Sequence, residues 1–152
     1  MNIDTIMSKD LIVASIHDNV ETVATLMKKY DVGFIPLVLN KKIMGVITDR
    51  DLVVGMLANH FDIHHSVENY MTKQIISIDV HKSIVEAINL MGEQKIKRLI
   101  VTNRKKVVGI LSISDLINTD INPDIIVKNL KQIGEIYRNI DRFDTEIDEF
   151  YL

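Results

Sequence analysis

Slid along itself by 64 positions, this sequence matches itself without a gap: Met7 meets Met71, Lys9 meets Lys73, His17 meets His81, and Leu26-Met27 meets Leu90-Met91. In the same register Lys41-Lys42 meets Lys105-Lys106, Gly45 meets Gly109, and Asp51-Leu52 meets Asp115-Leu116. A register held this long means one supersecondary unit made twice, each copy needing the other to cover its apolar face. The repeat sets the expected layout: a first copy at 1–58, a linker at 59–66, a second copy at 67–119, and a carboxy-terminal helix with an acidic tail at 120–152.

Each copy opens on a short β-branched run, 11–13 in the first and 75–78 in the second, expected as strands. A helix follows. Val20, Val23, Ala24 and Met27 fall at i, i+3, i+4 and i+7, and Ile84, Ala87, Ile88 and Met91 repeat that stripe. Asp18 or Asn19, and Ser83, are the candidate N-caps. Residues 34–39 and 43–48, and then 99–102 and 107–112, are pairs of apolar strands split by a few polar residues, which predicts hairpins. A short helix closes each copy. The expected fold is therefore α/β, with two β-α-β-β-α repeats and a carboxy-terminal helix. That last helix starts at Asn122-Pro123-Asp124, an N-cap followed by proline at the first helical position, and should run to about Asn139. Its residues Ile126, Leu130, Ile133, Tyr137 and Ile140 are spaced for a dimer seam or for a face on the protein's own core. The stretch 141–152 is acidic, with Phe143, Phe150 and Tyr151 interspersed.

Chemistry concentrates in one repeated segment, Gly45-Val46-Ile47-Thr48-Asp49-Arg50-Asp51 and its counterpart Gly109-Ile110-Leu111-Ser112-Ile113-Ser114-Asp115. Both run from glycine through two apolar residues to a hydroxyl, and three residues later to aspartate. Thr48 or Ser112 sits where strand gives way to helix, so that hydroxyl and main-chain N–H groups can meet an anion there. The carboxylate of Asp51 or Asp115 lies one turn on, and an ionised carboxylate accepts two hydrogen bonds from a vicinal diol such as a ribose offers. Phosphate at one end and ribose at the other describe a nucleotide. The plainer reading makes Thr48 and Ser112 simple N-caps and the aspartates complements to the helix dipole; recurrence at one register favours the nucleotide.

Each copy resembles a cystathionine-β-synthase (CBS) domain, and the two together resemble the tandem CBS pair often named a Bateman module. The likeness covers about residues 3–118 and rests on Met7-Ser8-Lys9 and Met71-Thr72-Lys73, on Val32-Gly33-Phe34-Ile35-Pro36-Leu37-Val38, and on the two Gly-to-Asp segments. The resemblance implies a pseudo-two-fold with two clefts between sheets, holding adenosine ligands. It implies that Asp51 and Asp115 hold ribose hydroxyls, that Thr48 and Ser112 lie near phosphate, and that Ser77, Ile35 and Leu99 line adenine pockets. The copies differ: Val13 stands where the second has Ser77, and Gly33-Phe34 where it has Lys97-Arg98. The clefts should therefore be unequal, with Lys97 and Arg98 supplying cations for phosphate and Arg50 contributing from the other repeat. A charged strand edge that discourages aggregation is the plainer reading of Lys97 and Arg98.

Other function classes find little support. The net charge of −3 argues against a nucleic-acid surface, and the absence of cysteine excludes disulfides, thiolate nucleophiles and Cys-based zinc sites. His60, His64 and His65 lie in the polar linker 60–66, but lack the partners for a tetrahedral metal set, so no metal is expected. No Gly-rich phosphate loop, Gly-x-Ser-x-Gly or His-Glu-x-x-His is present, and the neighbouring carboxylates Asp49 and Asp51 have no positioned His or Lys. The expectation is a cytoplasmic, non-catalytic module with no required cofactor and no membrane segment. It would sense an adenine nucleotide (AMP, ADP or ATP), assemble as a homodimer through exposed helices, and signal to a separate effector protein. The alternative is an interaction scaffold with vestigial clefts.

Overall fold

The computed structural model describes residues 2–135. The continuation of the last helix toward Asn139, with Tyr137 and Ile140, and the stretch 141–152 lie outside the described residues. The chain divides into two units: Asp10–Ile76, and a second that joins Met1–Lys9 to the chain from Ser77 onward. The first nine residues, which the sequence repeat counts with the first copy, thus belong to the unit built by the second.

In the unit Asp10–Ile76, strands β1 (Ala14–Ser15), β2 (Phe34–Leu39) and β3 (Lys42–Thr48) form a sheet in that order, β1 parallel and β3 antiparallel to β2. The β-branched run 11–13 proves to be a lead-in, with Val13 exposed. Pairing starts only at Ala14, opposite Leu37, because a strand forms where a partner offers its ladder and propensity alone does not set that register. Helix α2 (Val20–Tyr30) is capped by Asn19, whose side chain accepts the Thr22 N–H at 2.8 Å. Asp18 instead takes the Ser15 N–H at 2.8 Å and turns the chain from strand to helix. Val20, Val23 and Met27 are buried, while Ala24 is exposed. The linker is less loose than its composition suggests. The carbonyls of His65 and Ile63 accept the N–H groups of Val20 and Glu21, both at 3.1 Å, which helix geometry leaves without intrahelical partners. Its histidines pair at most with single carboxylates, such as His64 with Glu21 at 3.8 Å, and no group able to hold a metal occurs among the described residues.

The other unit repeats the plan. Strands β4 (Ser77–Asp79), β5 (Arg98–Asn103) and β6 (Lys106–Ser112) form the second sheet, with helices α3 (Ile84–Gln94) and α4 (Ile113–Ile117). Here all four stripe residues, Ile84, Ala87, Ile88 and Met91, are buried. Helix α1 (Ile3–Ile6) adds Ile3, fully buried, and Asn2 bridges to Ser83. Both hairpins turn on two residues at positive φ, Asn40 (50°) with Lys41 (64°) and Arg104 (46°) with Lys105 (64°), the backbone twist that a two-residue turn between right-twisted strands requires.

Helix α5 (Pro123–Gly134) starts at Asn122, as the sequence indicates, and lies on α3. Its buried residues are Ile133 and, against the expected apolar seam, Asn129; Leu130 is exposed. The Asn129 amide donates to Asn89 Oδ1 at 3.1 Å and to the Ile125 carbonyl at 2.9 Å. This approach depends on Gly92: a Cβ there would meet the Asn129 amide oxygen and come within 2.5 Å of Gln132 Oε1. Position 28, the counterpart of Gly92 in α2, is an exposed lysine, so the covering helix fits one repeat only.

Gly92→Ala should therefore lower stability by about 1–3 kcal/mol by overpacking the α3–α5 contact. Gly134→Ala, where a Cβ meets nothing within 4 Å, should be neutral or stabilising; urea denaturation of the two variants checks this. A second outcome concerns α3's N-terminus, where Ser83 and Glu86 form a capping box. The Lys82 ammonium, then the Ser83 N–H and hydroxyl, lower the Glu86 pKa from 4.5 to about 2. Since the folded value is depressed, the contribution is complete above about 4.5, fades as pH falls, and is gone below about 2. The stability difference between the native chain and Glu86→Gln, followed across that window, should shrink accordingly.

Candidate functional site

At the end of β3 the Thr48 N–H and hydroxyl both donate to Asp51 Oδ2 at 2.8 Å, while the Asp51 N–H returns to Thr48 Oγ1 at 3.2 Å. At the end of β6 the Ser112 N–H (2.7 Å) and hydroxyl (2.6 Å) donate to Asp115 Oδ2, and the Asp115 N–H reaches Ser112 Oγ at 3.3 Å. The plainer reading of these residues is thus realised: each hydroxyl and aspartate closes a reciprocal cap. It does not exhaust them. All the carboxylate bonds fall on Oδ2, and among the described residues Oδ1 of Asp51 and of Asp115 accepts none. The four residues are half-buried, so each box holds a carboxylate oriented by two donors, with its second oxygen open to a diol.

The glycines that open these segments serve a different purpose. A Cβ on Gly109 would lie 2.6 Å from Met7 Sδ and 2.7 Å from the Ser8 carbonyl oxygen; one on Gly45 would lie 2.8 Å from Met71 Sδ and from the Thr72 carbonyl oxygen. They admit a neighbouring chain segment, and the repeated Met and Gly are two sides of one contact.

The remaining expected residues fall in different places. Arg98 pairs with Ser112 across β5 and β6, and the Lys97 carbonyl accepts the Ile113 N–H at 2.9 Å, which puts the main chain of both residues beside the Ser112–Asp115 box. Ser77 is exposed on the edge strand β4 and lines a groove of about 460 Å³ with Asp79, Lys82, Glu86, Asn89 and Glu93. Lys97, Arg98, Ser112 and Asp115 do not line that groove. Ile35 and Leu99 are fully buried in their cores, main chain included, so against expectation neither presents a surface to a ligand. Arg50 is exposed next to the Thr48–Asp51 box. One residue with a marked position was not singled out as a site by its pattern: Asp49, whose carboxylate lies over Gly33, with Oδ2 2.6 Å from where a Cβ would be. The pairing of Phe34 with Thr48 brings these two residues together, and the Asp49 N–H donates to the Gly33 carbonyl at 3.2 Å.

Comparison with known proteins fits this architecture. The family model described as the CBS domain matches residues 3–57 and again 67–122. The chain belongs to the CBS-domain family. It is 34% identical over 116 residues to the uncharacterized protein YlbB of Bacillus subtilis, spanning 75% of this chain and 78% of that one. It is 30% identical over 110 residues to the CBS domain-containing protein YhcV of the same organism, over 72% and 79% of the two chains. Among solved structures, the CBS-domain pair of protein MJ0100, in complex with 5′-methylthioadenosine and S-adenosyl-L-methionine, superposes with a TM-score of 0.69 at 24% identity, covering 76% of this chain and 92% of that one. The two CBS matches coincide with the two copies of the 64-residue repeat, and CBS pairs are regulatory modules. No helix among the described residues is long and apolar enough to cross a membrane.

Ser112→Ala removes the hydroxyl from its box and should cost about 1 kcal/mol, as loss of an N-cap does. Thr48→Ser, which keeps the hydroxyl, should cost much less than Thr48→Ala; chemical denaturation of the three variants measures the difference.

Proposed function

We propose that this chain is a cytoplasmic regulatory module that binds an adenosine-containing ligand, an adenine nucleotide such as AMP, ADP or ATP, and passes that binding on to a separate effector protein. The observation that carries the reading is the duplicated box: in both units a half-buried aspartate is oriented by its Thr or Ser, with one oxygen open. A ribose diol supplies the two donors such an oxygen accepts, and hydrogen bonds to a charged group contribute roughly 1.5–3 kcal/mol each. Lys97 and Arg98 beside the second box add the cations that a phosphate needs on leaving water. The adenosyl ligands named for the MJ0100 pair agree with this class of ligand.

Assembly as a homodimer is part of the proposal. Val53, Val54 and Leu57 are exposed on the helical stretch after Asp51, and Ile117, the counterpart of Val53, is exposed on α4. Exposed apolar residues at the end of each repeat, three in the first and Ile117 in the second, suit a self-complementary interface. The same patches support the second reading, a scaffold that binds a partner protein without any nucleotide.

Thermal unfolding of nucleotide-stripped protein against AMP, ADP, ATP, S-adenosylmethionine and NAD separates the readings. A sensor should gain about 2.7 kcal/mol at a hundredfold excess of its ligand over the dissociation constant, seen as a ligand-selective rise in midpoint. Asp51→Ala combined with Asp115→Ala should abolish that rise in a chain that still unfolds cooperatively. A cooperative transition unmoved by every ligand would leave the scaffold.

A further inference from the structure

Each sheet has an edge formed by its first strand, β1 or β4, and the two repeats treat that edge differently. In β4 the parallel register turns the main chain of Ile78 toward β5, where the Thr102 hydroxyl also donates to the Ile78 carbonyl at 3.3 Å. The Val80 N–H, two residues on, donates to the Thr102 carbonyl at 2.8 Å. Ser77 and Asp79 hold the alternate positions, so their main chain faces outward. In the first repeat the counterpart of Asp79 is Ser15, whose N–H is taken by Asp18 Oδ2 at 2.8 Å. The counterpart of Asp18 is Lys82, and an ammonium group accepts nothing. Among the described residues the Asp79 N–H accordingly has no partner, and neither has the N–H or the carbonyl of Ser77.

This open edge runs along the groove of about 460 Å³, whose other wall is the face of α3 and its approach that carries Lys82, Glu86, Asn89, Leu90 and Glu93. Ile78 and half-buried Leu90 give the groove apolar surface, and three carboxylates stand there against one ammonium group. That ammonium, on Lys82, is held by Glu86 at 2.8 Å, while Asp79 and Glu93 make no ion pair among the described residues. We infer that the groove receives an extended, basic segment of a partner protein, which adds as a strand to β4 and sets Lys or Arg side chains against Asp79 and Glu93. The main-chain groups of Ser77 and Asp79 offer two donors and an acceptor to that strand, and the carboxylates select its charge. A second copy of this chain fits badly, because its own β4 brings Asp79 to face the same carboxylates. The groove serves the sensor and the scaffold alike, since each needs a surface for its partner.

Titration of the isotope-labelled chain with a short peptide alternating lysine and valine, followed by NMR, tests it. The amides of Ser77 and Asp79 should shift saturably, and exchange of the Asp79 N–H with solvent should slow. The same peptide with every backbone nitrogen methylated keeps its charges but loses its donors, and should bind about tenfold more weakly or worse; a peptide alternating glutamate and valine should do the same. Asp79→Asn combined with Glu93→Gln, both at exposed positions, should weaken the lysine peptide about tenfold. The inference is overturned by a lysine peptide that does not bind at millimolar concentration, or that binds without moving Ser77 and Asp79. Binding that is indifferent to methylation, to the peptide's charge or to the two substitutions overturns it as well. The nucleotide melting series judges the sensor reading separately, so the two can fail independently.

Discussion

Each sheet is closed on its outer strand by two residues from elsewhere in the chain, and this contact fixes the rest. Ser8 and Ile110 exchange both main-chain hydrogen bonds at 2.9 Å, and Thr72 and Val46 exchange theirs at 2.8 and 2.9 Å. Each bridge brings a methionine sulfur onto a glycine, Met7 on Gly109 and Met71 on Gly45. An exposed outer strand would be an open ladder, and the bridge blunts it. It also fixes the last strand whose end presents Thr48 or Ser112, so the hydroxyl–carboxylate boxes inherit their position from a contact made by residues with no chemistry of their own.

Legibility in the sequence follows from how local each cause is. Helices α2 and α3 show in their stripes, and the caps Asn19, Ser83 and Asn122 are visible because an N-cap acts within three residues. The first strand was displaced because its bounds depend on Leu37 and Val38, more than twenty residues away. Ala24 and Ile88 hold the same place in the repeat, yet only Ile88 is buried. Burial of Asn129 rather than Leu130 depends on Gly92 and Asn89 across the interface, which a heptad count on one helix does not contain. At the candidate site, the four residues of the boxes were readable because each bond spans three positions; the place of Asp49 over Gly33 was not, because it needs the β2–β3 register.

The duplication separates what the main chain requires from what the side chains have since acquired. The hydrogen bonds of the two boxes agree to within 0.2 Å, although one hydroxyl belongs to threonine and the other to serine. Around that fixed frame nearly every charge differs: glycine against lysine, phenylalanine against arginine, aspartate against isoleucine, arginine against serine. One frame serves two environments, as in folds whose sites are set by side chains on a common scaffold.

The exchange of the leading segment also sets an order of events during synthesis. Residues 10–76 can complete their sheet as soon as they have left the ribosome. Ser8 must wait until Ile110 has been made, roughly 100 residues later, about 5–20 s at common elongation rates. Through that interval Ile3 and Met7, both buried in the finished protein, are apolar side chains without their partners. Residues translated ahead of the first sheet are thus among the last to find their place, and that stretch is where the newborn chain most needs protection.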